Sequence, residues 1–215
     1  MPNSLFLFDE TMCPKGGFII GTDEAGRGPG AGDVVAAAVY FPCPDKSLQK
    51  ELAKLNDSKK LTEKIREELF DIIVANSVYE ITFGSVGEIE QTNILKTSLN
   101  CMKKSCESVL KKTGKDNALV LVDGNKLITG FSGNQKFVVK GDSKSASIAA
   151  ASILAKVSRD RYMFDLDKQF PQYKWAKNKG YLTEEHLRAI DEFGVCEYHR
   201  KKFLEKHFTK QLSLF

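Results

Sequence analysis

The sequence predicts an α/β domain built on a mixed β-sheet with helices on both faces. Five short apolar segments with strand character alternate with longer segments of helical periodicity, which is typical of layered α/β domains. The first two strands are separated only by a glycine-rich stretch, so we expect an antiparallel hairpin. That hairpin excludes a purely parallel sheet, and the length of 215 residues is that of one domain with an appendage.

Each element has a local signal that indicates its type. The predicted strands are short and apolar and are bounded by glycine, proline or acidic residues, whereas the predicted helices carry apolar residues every three or four positions. Thr62 and Thr183 are suited to cap helices. The predicted strands are residues 18–22, 34–41, 78–85, 118–122 and 136–140, and the predicted helices are residues 62–76, 88–112, 145–169 and 183–193.

Composition excludes several classes of protein. With 42% apolar and 28% charged residues the chain is not of the disordered type. The longest uninterrupted apolar run is residues 34–41, far below the length of about 20 residues that a membrane helix needs. The first residues lack the basic start and apolar core of a secretion signal, so we expect a cytoplasmic protein with no membrane partner. The five cysteines form no C-x-x-C pair, and we expect reduced thiols.

Histidine is confined to the last thirty residues, at positions 186, 199 and 207. Any metal bound by the preceding part of the chain must therefore be held by oxygen ligands. Oxygen ligands favour hard ions such as Mg²⁺ or Mn²⁺.

Acidic residues follow three of the predicted strands. Asp23 and Glu24 follow the first strand, Asp123 follows the fourth and Asp142 follows the fifth. Ligand sites of α/β sheets lie beyond the carboxyl ends of strands, so these side chains converge if the strands are neighbours. Converging carboxylates repel one another unless they are protonated or neutralised by a cation, and carboxylates around two ions are used for phosphodiester hydrolysis. The alternative is that each acid only caps a turn or a helix.

The glycine-rich stretch at residues 26–32 formally fits the dinucleotide-binding pattern G-x-G-x-x-[G/A]. Pro29 removes an amide donor from it, and a strand follows where that pattern requires a helix. Two readings remain: the glycines allow close approach to a sugar–phosphate with Arg27 supplying charge, or they form a tight turn between strands.

A series of motifs resembles ribonuclease HII, the bacterial type 2 ribonuclease H. The motifs occur in the order found in that family and extend over about residues 18–203. They are GTDEAGRGP (21–29), NDSKKL (56–61), VDG (122–124), KGD (140–142), AASILAKV (150–157), RD (159–160), KGY (179–181) and HR (199–200).

The resemblance implies a ribonuclease H-like fold with a C-terminal helical extension. It further implies endonucleolytic hydrolysis of the RNA strand in RNA–DNA hybrids, and incision 5′ to a single ribonucleotide in duplex DNA as in ribonucleotide excision repair. Cleavage would leave a 3′-hydroxyl and a 5′-phosphate and would require Mg²⁺ or Mn²⁺, with two ions at the active site when substrate is bound. By position, the implied catalytic and metal-binding carboxylates are Asp23, Glu24, Asp123 and Asp142.

Substrate contacts are implied in three segments. One matches the family's loop that touches the ribose 2′-hydroxyl, and Tyr181 matches the tyrosine that reads the RNA-to-DNA junction. Residues 58–60 lie beside a helix start, where amides and lysines suit phosphate, although a solvated cap is the alternative. The substrate-contact residues are Gly26, Arg27, Gly28, Ser58, Lys59, Lys60 and Tyr181.

We divide the chain into a catalytic core at residues 1–170, a helical extension at 171–208 that contacts substrate, and a free tail at 209–215. The last five residues resemble the peptide with which bacterial replication and repair proteins bind the DNA polymerase sliding clamp. The alternative is a frayed or packed chain end. The clamp-binding residues would be Gln211, Leu212, Ser213, Leu214 and Phe215.

Two other functions are considered. The net charge of +4 suits a non-catalytic nucleic-acid binder, but acids beside a phosphate-contacting loop weaken such binding unless metals fill them. Ribonuclease HIII usually has Gly-Lys-Gly where this chain has residues 26–28, and an additional N-terminal domain. We expect a monomer in which Asp33 adds an acid near the site. Asp160 follows Arg159 on a predicted helix, and we favour a structural ion pair over metal ligation for its side chain.

Overall fold

The computed structural model describes residues 4–115 and 117–212, without the side chains of residues 206 and 210–212. Within these residues the strands are β1 (Phe18–Ala25), β2 (Val34–Tyr40), β3 (Val78–Gly84), β4 (Ala118–Asp123) and β5 (Asn134–Val138). The α-helices are α1 (Ser4–Met12), α2 (Lys46–Glu51), α3 (Glu63–Asn76), α4 (Val86–Gln91), α5 (Ile94–Thr113), α6 (Ala146–Gln169), α7 (Trp175–Asn178), α8 (Glu184–Phe193) and α9 (Lys201–Leu212).

The strands form one mixed sheet in the order β3-β2-β1-β4-β5. The first three strands are antiparallel neighbours, and β4 and β5 add to β1 in parallel. The predicted hairpin and the predicted mixed five-stranded sheet are both confirmed. In this order β1 and β4 are adjacent parallel strands at the centre of the sheet, so their carboxyl ends lie side by side.

Some boundaries differ from the predictions. The expected helix at 88–112 is two helices, because a capping box of Ser85 and Glu88 starts α4 and the side chain of Asn93 accepts the amide hydrogen of Lys96 to start α5. Strand β5 ends at Val138, and a left-handed residue, Lys140 (φ 55°), turns the chain there. Helix α1 was not predicted.

Helices cover both faces of the sheet. Helix α6 packs against β1 and β2 on one face, with α3 packed on α6, and α5 covers the other face. The side chain of Asp9 in α1 accepts hydrogen bonds from the amide and the hydroxyl of Ser147, each at 2.8 Å, and so caps the start of α6. In the described part of the chain, no helix has both the length and the apolar character that crossing a bilayer requires.

Helix α6 packs so closely on β1 that position 21 of the strand requires glycine. A Cβ atom added to Gly21 would lie 2.2 Å from the backbone carbon of Ser147. The substitution Gly21→Ala is expected to lower the free energy of unfolding by about 3 kcal/mol, since backbone atoms must move apart to admit the methyl group. For a chain of this size that corresponds to a fall in Tm of roughly 6–12 °C.

Gly87 provides the matched control for this prediction. It lies in α4, and the nearest atom to an added Cβ is 3.7 Å away. Gly87→Ala should leave Tm unchanged or slightly raised, because alanine is the better helix former. Both variants are measured by thermal unfolding, and equal Tm values for the two would contradict the close packing of α6 on β1.

The chain after α6 forms a small helical unit with its own apolar cluster. Trp175, Tyr173 and Leu204 are buried there together with Met163 of α6 and Ala31 of the loop between β1 and β2. The extension is therefore packed against both the long helix and the glycine-rich loop.

Candidate active site

Asp23 and Asp123 occupy equivalent places on adjacent parallel strands. The register pairs Thr22 of β1 with Val122 of β4, and the two aspartates are the next residues of these strands. Glu24 follows Asp23 in β1. The prediction that acids at these strand ends converge is met, although Asp23 and Glu24 lie within the strand and do not follow it.

Asp142 is brought to this edge by a turn. It lies in a short 3₁₀ helix, Gly141–Ser143, between β5 and α6. The amide of Gly141 donates a hydrogen bond of 2.7 Å to Oδ1 of Asp123, which fastens the turn to the end of β4. The sequence predicted Asp142 at the end of a strand. Its position instead depends on the left-handed backbone conformation of Lys140 and on this hydrogen bond.

The four carboxylates interact electrostatically. Asp23 is buried, and its pKa is raised well above 3.8 by burial, by Glu24 and by Asp123, with a smaller contribution from Asp142. Burial raises the pKa of Glu24, and Arg27 opposes that shift. Burial and the charge of Asp123 likewise raise the pKa of Asp142. Like charges that are partly removed from water favour either protonation or a bound cation.

The donor set fits a hard divalent cation. The carboxylates Asp23, Glu24, Asp123 and Asp142 supply only oxygen, the ligand that Mg²⁺ and Mn²⁺ prefer. Among the described residues, no three acidic, histidine or cysteine side chains enclose a metal position by themselves.

The glycine-rich loop lies between these carboxylates and Tyr181. Arg27 Nη1 donates a hydrogen bond of 3.2 Å to Glu24 Oε1, and the arginine side chain is about half exposed. A Cβ atom added to Gly28 would lie 3.3 Å from Cε1 of Tyr181, whose side chain is exposed. Gly26 has φ +100°, and an added Cβ would lie 2.2 Å from Nε of Arg159.

Residues 58–60 form a 3₁₀ turn near the carboxylates, and its three side chains differ. Lys59 is exposed, and its positive charge lowers the pKa of both Glu24 and Asp142. Ser58 is buried, and its hydroxyl accepts a hydrogen bond of 2.7 Å from Ser152 in α6. Lys60 is exposed. Lys59 is thus placed beside the site, whereas the Ser58 hydroxyl is engaged inside the protein.

Two further acids lie among other partners. Asp33 was expected near the site, but its side chain accepts a hydrogen bond of 3.1 Å from the amide of Val86. The reason is that the chain has already turned into β2 at this point. Burial raises the pKa of Asp33, and Val86, Tyr162 and Arg200 oppose that shift. Asp160 forms the expected ion pair, with Lys156 at 2.6 Å and Arg66 at 3.8 Å.

Arg159 and Arg200 were not recognised in the sequence as parts of the site. Both side chains are buried, and they donate hydrogen bonds to backbone carbonyls of the glycine-rich loop. The only sequence signal was their presence in the RD and HR motifs, because a buried arginine has no periodic pattern.

The predicted clamp-binding residues lie at the limit of the structure. Gln211 and Leu212 are the last two residues of α9, so the helix includes the start of the expected free tail. Ser213, Leu214 and Phe215 lie outside the described residues.

The fold and the site together define a class of protein. A mixed sheet of order β3-β2-β1-β4-β5 with an all-oxygen acidic site at the ends of β1 and β4 is the ribonuclease H-like arrangement. Comparison with known proteins gives the family: the family model for ribonuclease HII matches residues 20–211. The chain belongs to the ribonuclease HII family and is a type 2 ribonuclease H, a hydrolase.

Individual relatives agree with this assignment. Ribonuclease HII of Fusobacterium nucleatum is 47% identical over 207 residues, covering 96% of this chain and 93% of the relative. The ribonuclease HII in a PCNA complex from Archaeoglobus fulgidus has a TM-score of 0.69 at 25% identity, over 85% of this chain and 93% of that chain. Bst-RNase HIII in complex with Mn²⁺ shares the fold, with a TM-score of 0.69 at 18% identity over 95% and 73% of the two chains.

Proposed function

We propose that this ribonuclease H cleaves the RNA strand of RNA–DNA hybrids and also incises duplex DNA on the 5′ side of a single ribonucleotide. The observation that supports the proposal is the acidic site beside a loop in which Gly28 faces the ring of Tyr181, 3.3 Å from where a Cβ atom on Gly28 would lie. Such a site combines carboxylates suited to phosphodiester hydrolysis with a glycine and a tyrosine that can distinguish ribose from deoxyribose at one nucleotide. Incision at a single ribonucleotide is the entry step of ribonucleotide excision repair.

Asp23, Glu24, Asp123 and Asp142 would hold Mg²⁺ or Mn²⁺, with two ions when substrate is bound. Such ions, when bound, supply activation of water and stabilisation of the leaving oxygen. The Mn²⁺ in the related Bst-RNase HIII structure supports the choice of ion. Asp123 also holds the turn that carries Asp142, so the relative placement of these two ligands depends on the Gly141 hydrogen bond.

Hydrolysis forms one bond to phosphorus and breaks another. A water oxygen forms a bond to phosphorus, the bond from phosphorus to the 3′-oxygen breaks, and that oxygen takes up a proton. The products carry a 3′-hydroxyl and a 5′-phosphate. Lys59 and Arg27 would contact substrate phosphates, and their exposure beside the carboxylates supports this role.

Sugar recognition follows from the loop and the extension. The backbone of Gly26 and Gly28 would approach the 2′-hydroxyl, the group that separates RNA from DNA. Gly26 adopts φ +100°, a conformation that glycine allows, so the loop can present its backbone there. The exposed ring of Tyr181 offers a face for the neighbouring deoxyribose, where an additional hydroxyl would be crowded. The extension at residues 171–208 thereby contributes to substrate contact.

A 5′-labelled DNA duplex with one internal ribonucleotide tests the activity. We expect a nick on the 5′ side of that ribonucleotide in Mg²⁺ or Mn²⁺, and none in EDTA. The all-DNA duplex of the same sequence is the control and should remain intact. Retention of the intact ribonucleotide-containing duplex, or cleavage only in long RNA tracts, would contradict the proposal.

The C-terminal residues supply a second, separate proposal: the segment at 211–215 binds the DNA polymerase sliding clamp. The support is the sequence, in which Gln211 can hydrogen-bond at a pocket rim while Leu214 and Phe215 fill an apolar groove. The related protein from Archaeoglobus fulgidus was solved as a complex with PCNA.

Removal of residues 211–215 is expected to abolish co-purification with the sliding clamp of the same organism while nuclease activity is retained. The double substitution of Leu214 and Phe215 by alanine should have the same effect, whereas Asp165→Asn, an exposed change outside this segment, should not. Clamp binding that persists after the deletion would refute this partner.

A further inference from the structure

The glycine-rich loop and the segment carrying Tyr181 contact each other directly, although they are about 150 residues apart in the sequence. The amide of Gly30 donates a hydrogen bond of 2.9 Å to the carbonyl of Gly180. A Cβ atom added to Gly180 would lie 2.5 Å from the carbonyl oxygen of Ala31. The two backbones are therefore in van der Waals contact next to the pair Gly28 and Tyr181.

The side chain of Arg159 joins these two segments. Its Nε donates to the carbonyl of Asp33 at 3.0 Å and its Nη2 to that of Ala31 at 3.0 Å, both in or next to the loop. Its Nη1 donates to the carbonyl of Lys179 at 2.9 Å, two residues before Tyr181. Only 2% of the Arg159 surface is exposed, so water does not compete for these three carbonyls.

The chemistry of this contact requires a guanidinium group. Its nitrogens are held in a rigid plane, and each of the three points at a different carbonyl, which a single ammonium nitrogen at the end of a flexible chain cannot reproduce. The loop is shaped around the group: added Cβ atoms on Gly26 and Gly32 would lie 2.2 Å from Nε and 3.4 Å from Nη2 of Arg159.

Arg200 has a different role. Its Nε and Nη2 donate to the carbonyl of Gly32 and its Nη1 to that of Pro29 at 2.8 Å, so these hydrogen bonds hold the loop to the start of α9. The loop is therefore supported from a second side when Arg159 is changed. This allows the contribution of Arg159 to the spacing of the two segments to be measured in a folded protein.

We infer that Arg159 is a positioning residue that fixes the spacing between Gly28 and Tyr181 and thereby sets discrimination between ribose and deoxyribose. The inference rests on the proposed function for its effect on substrate choice. Its structural part, the coupling of the two segments, can be measured without substrate.

Amide hydrogen exchange of the free protein is the first test. In Arg159→Lys, exchange of the Gly30 amide, which is bonded to Gly180, is expected to be at least ~10-fold faster than in the wild type. The control is Arg161→Lys on the same helix, whose side chain pairs with Glu67 at the surface, and this variant should exchange like the wild type at Gly30. Unchanged exchange at Gly30 in Arg159→Lys would overturn the inference.

A double-mutant cycle with Tyr181→Ala is the second test. Arg159→Lys is expected to lower kcat/KM on the single-ribonucleotide duplex by ~10–100-fold, and by less than 3-fold on a long RNA–DNA hybrid, since only the junction needs Tyr181 in register. In the Tyr181→Ala background the same change should have little additional effect. A merely structural role would reduce both substrates equally and add to the effect of Tyr181→Ala, which would overturn the inference.

The two tests separate the possible failures. If the wild-type protein cleaves neither substrate, the proposed function fails, and the exchange rate of Gly30 still decides whether Arg159 couples the two segments.

Discussion

Asp123→Asn is expected to lower kcat on an RNA–DNA hybrid by about 10³-fold or more. The substitution removes one charge from the acidic site, and loss of several kcal/mol of transition-state stabilisation, about 4 kcal/mol, corresponds to that factor. The carboxamide oxygen can still accept the hydrogen bond from Gly141, so the turn carrying Asp142 stays attached. The loss therefore reports the missing charge and not a collapsed site.

The measurement is single-turnover cleavage in Mg²⁺, with thermal unfolding to confirm the fold. Asp165→Asn is the matched control, because Asp165 is an exposed acid that pairs with Lys168 near the C-terminal end of α6. It should cleave at the wild-type rate. Wild-type activity in Asp123→Asn would exclude this carboxylate from the chemistry.

Asp23→Asn is expected to raise the free energy of unfolding in metal-free buffer at pH 7, by about 1 kcal/mol or more, which is roughly 2–4 °C in Tm. Burial, Glu24 and Asp123 raise the pKa of Asp23, so ionising this carboxyl is more costly in the folded than in the unfolded state. The asparagine keeps the acceptor for the amide of Glu24, which donates at 2.7 Å to Asp23 Oδ1. The variant should be inactive although it is more stable.

The pH dependence follows from the sign of the shift. With the folded-state pKa above the ordinary value of 3.8, the folded protein binds the proton more tightly than the unfolded chain. The stability of the wild type therefore falls as the pH rises from about 4 through the folded-state pKa, relative to Asp23→Asn. Thermal unfolding in EDTA at pH 4, 5, 6 and 7 measures this, and a constant difference between the two proteins across that range would contradict it.

The arrangement of Asp23, Glu24 and Asp123 was largely predictable from the sequence. The apolar segments directly before Asp23 and Asp123 are visible as local patterns, and parallel neighbouring strands bring the two aspartates together. The position of Asp142 was harder to predict from the sequence. It depends on the left-handed conformation of Lys140 and on a hydrogen bond between residues 18 apart in the chain. Neither feature has a periodicity that can be recognised in a sequence.

The buried arginines could not be predicted by the same means. Arg159 lies in a helix whose composition suggests only close packing, and arginine is rarely buried unless it is paired. Its hydrogen-bond acceptors are the backbone carbonyls of Ala31, Asp33 and Lys179. Every residue has such a carbonyl, so the identity of these residues does not indicate the contact. Asp160, the next residue in the chain, pairs with Lys156 and Arg66, one of which lies on a different helix.

Mn²⁺ binding to the metal-free protein tests most directly whether Asp23, Glu24, Asp123 and Asp142 act as one divalent-cation site. Electron paramagnetic resonance of free Mn²⁺ during titration gives the affinity for the wild type, Asp123→Asn, Asp142→Asn and the control Asp165→Asn. We expect the two site variants to bind Mn²⁺ at least ~10-fold more weakly than the wild type and Asp165→Asn to bind equally well. Equal Mn²⁺ uptake by all four proteins would contradict a shared site.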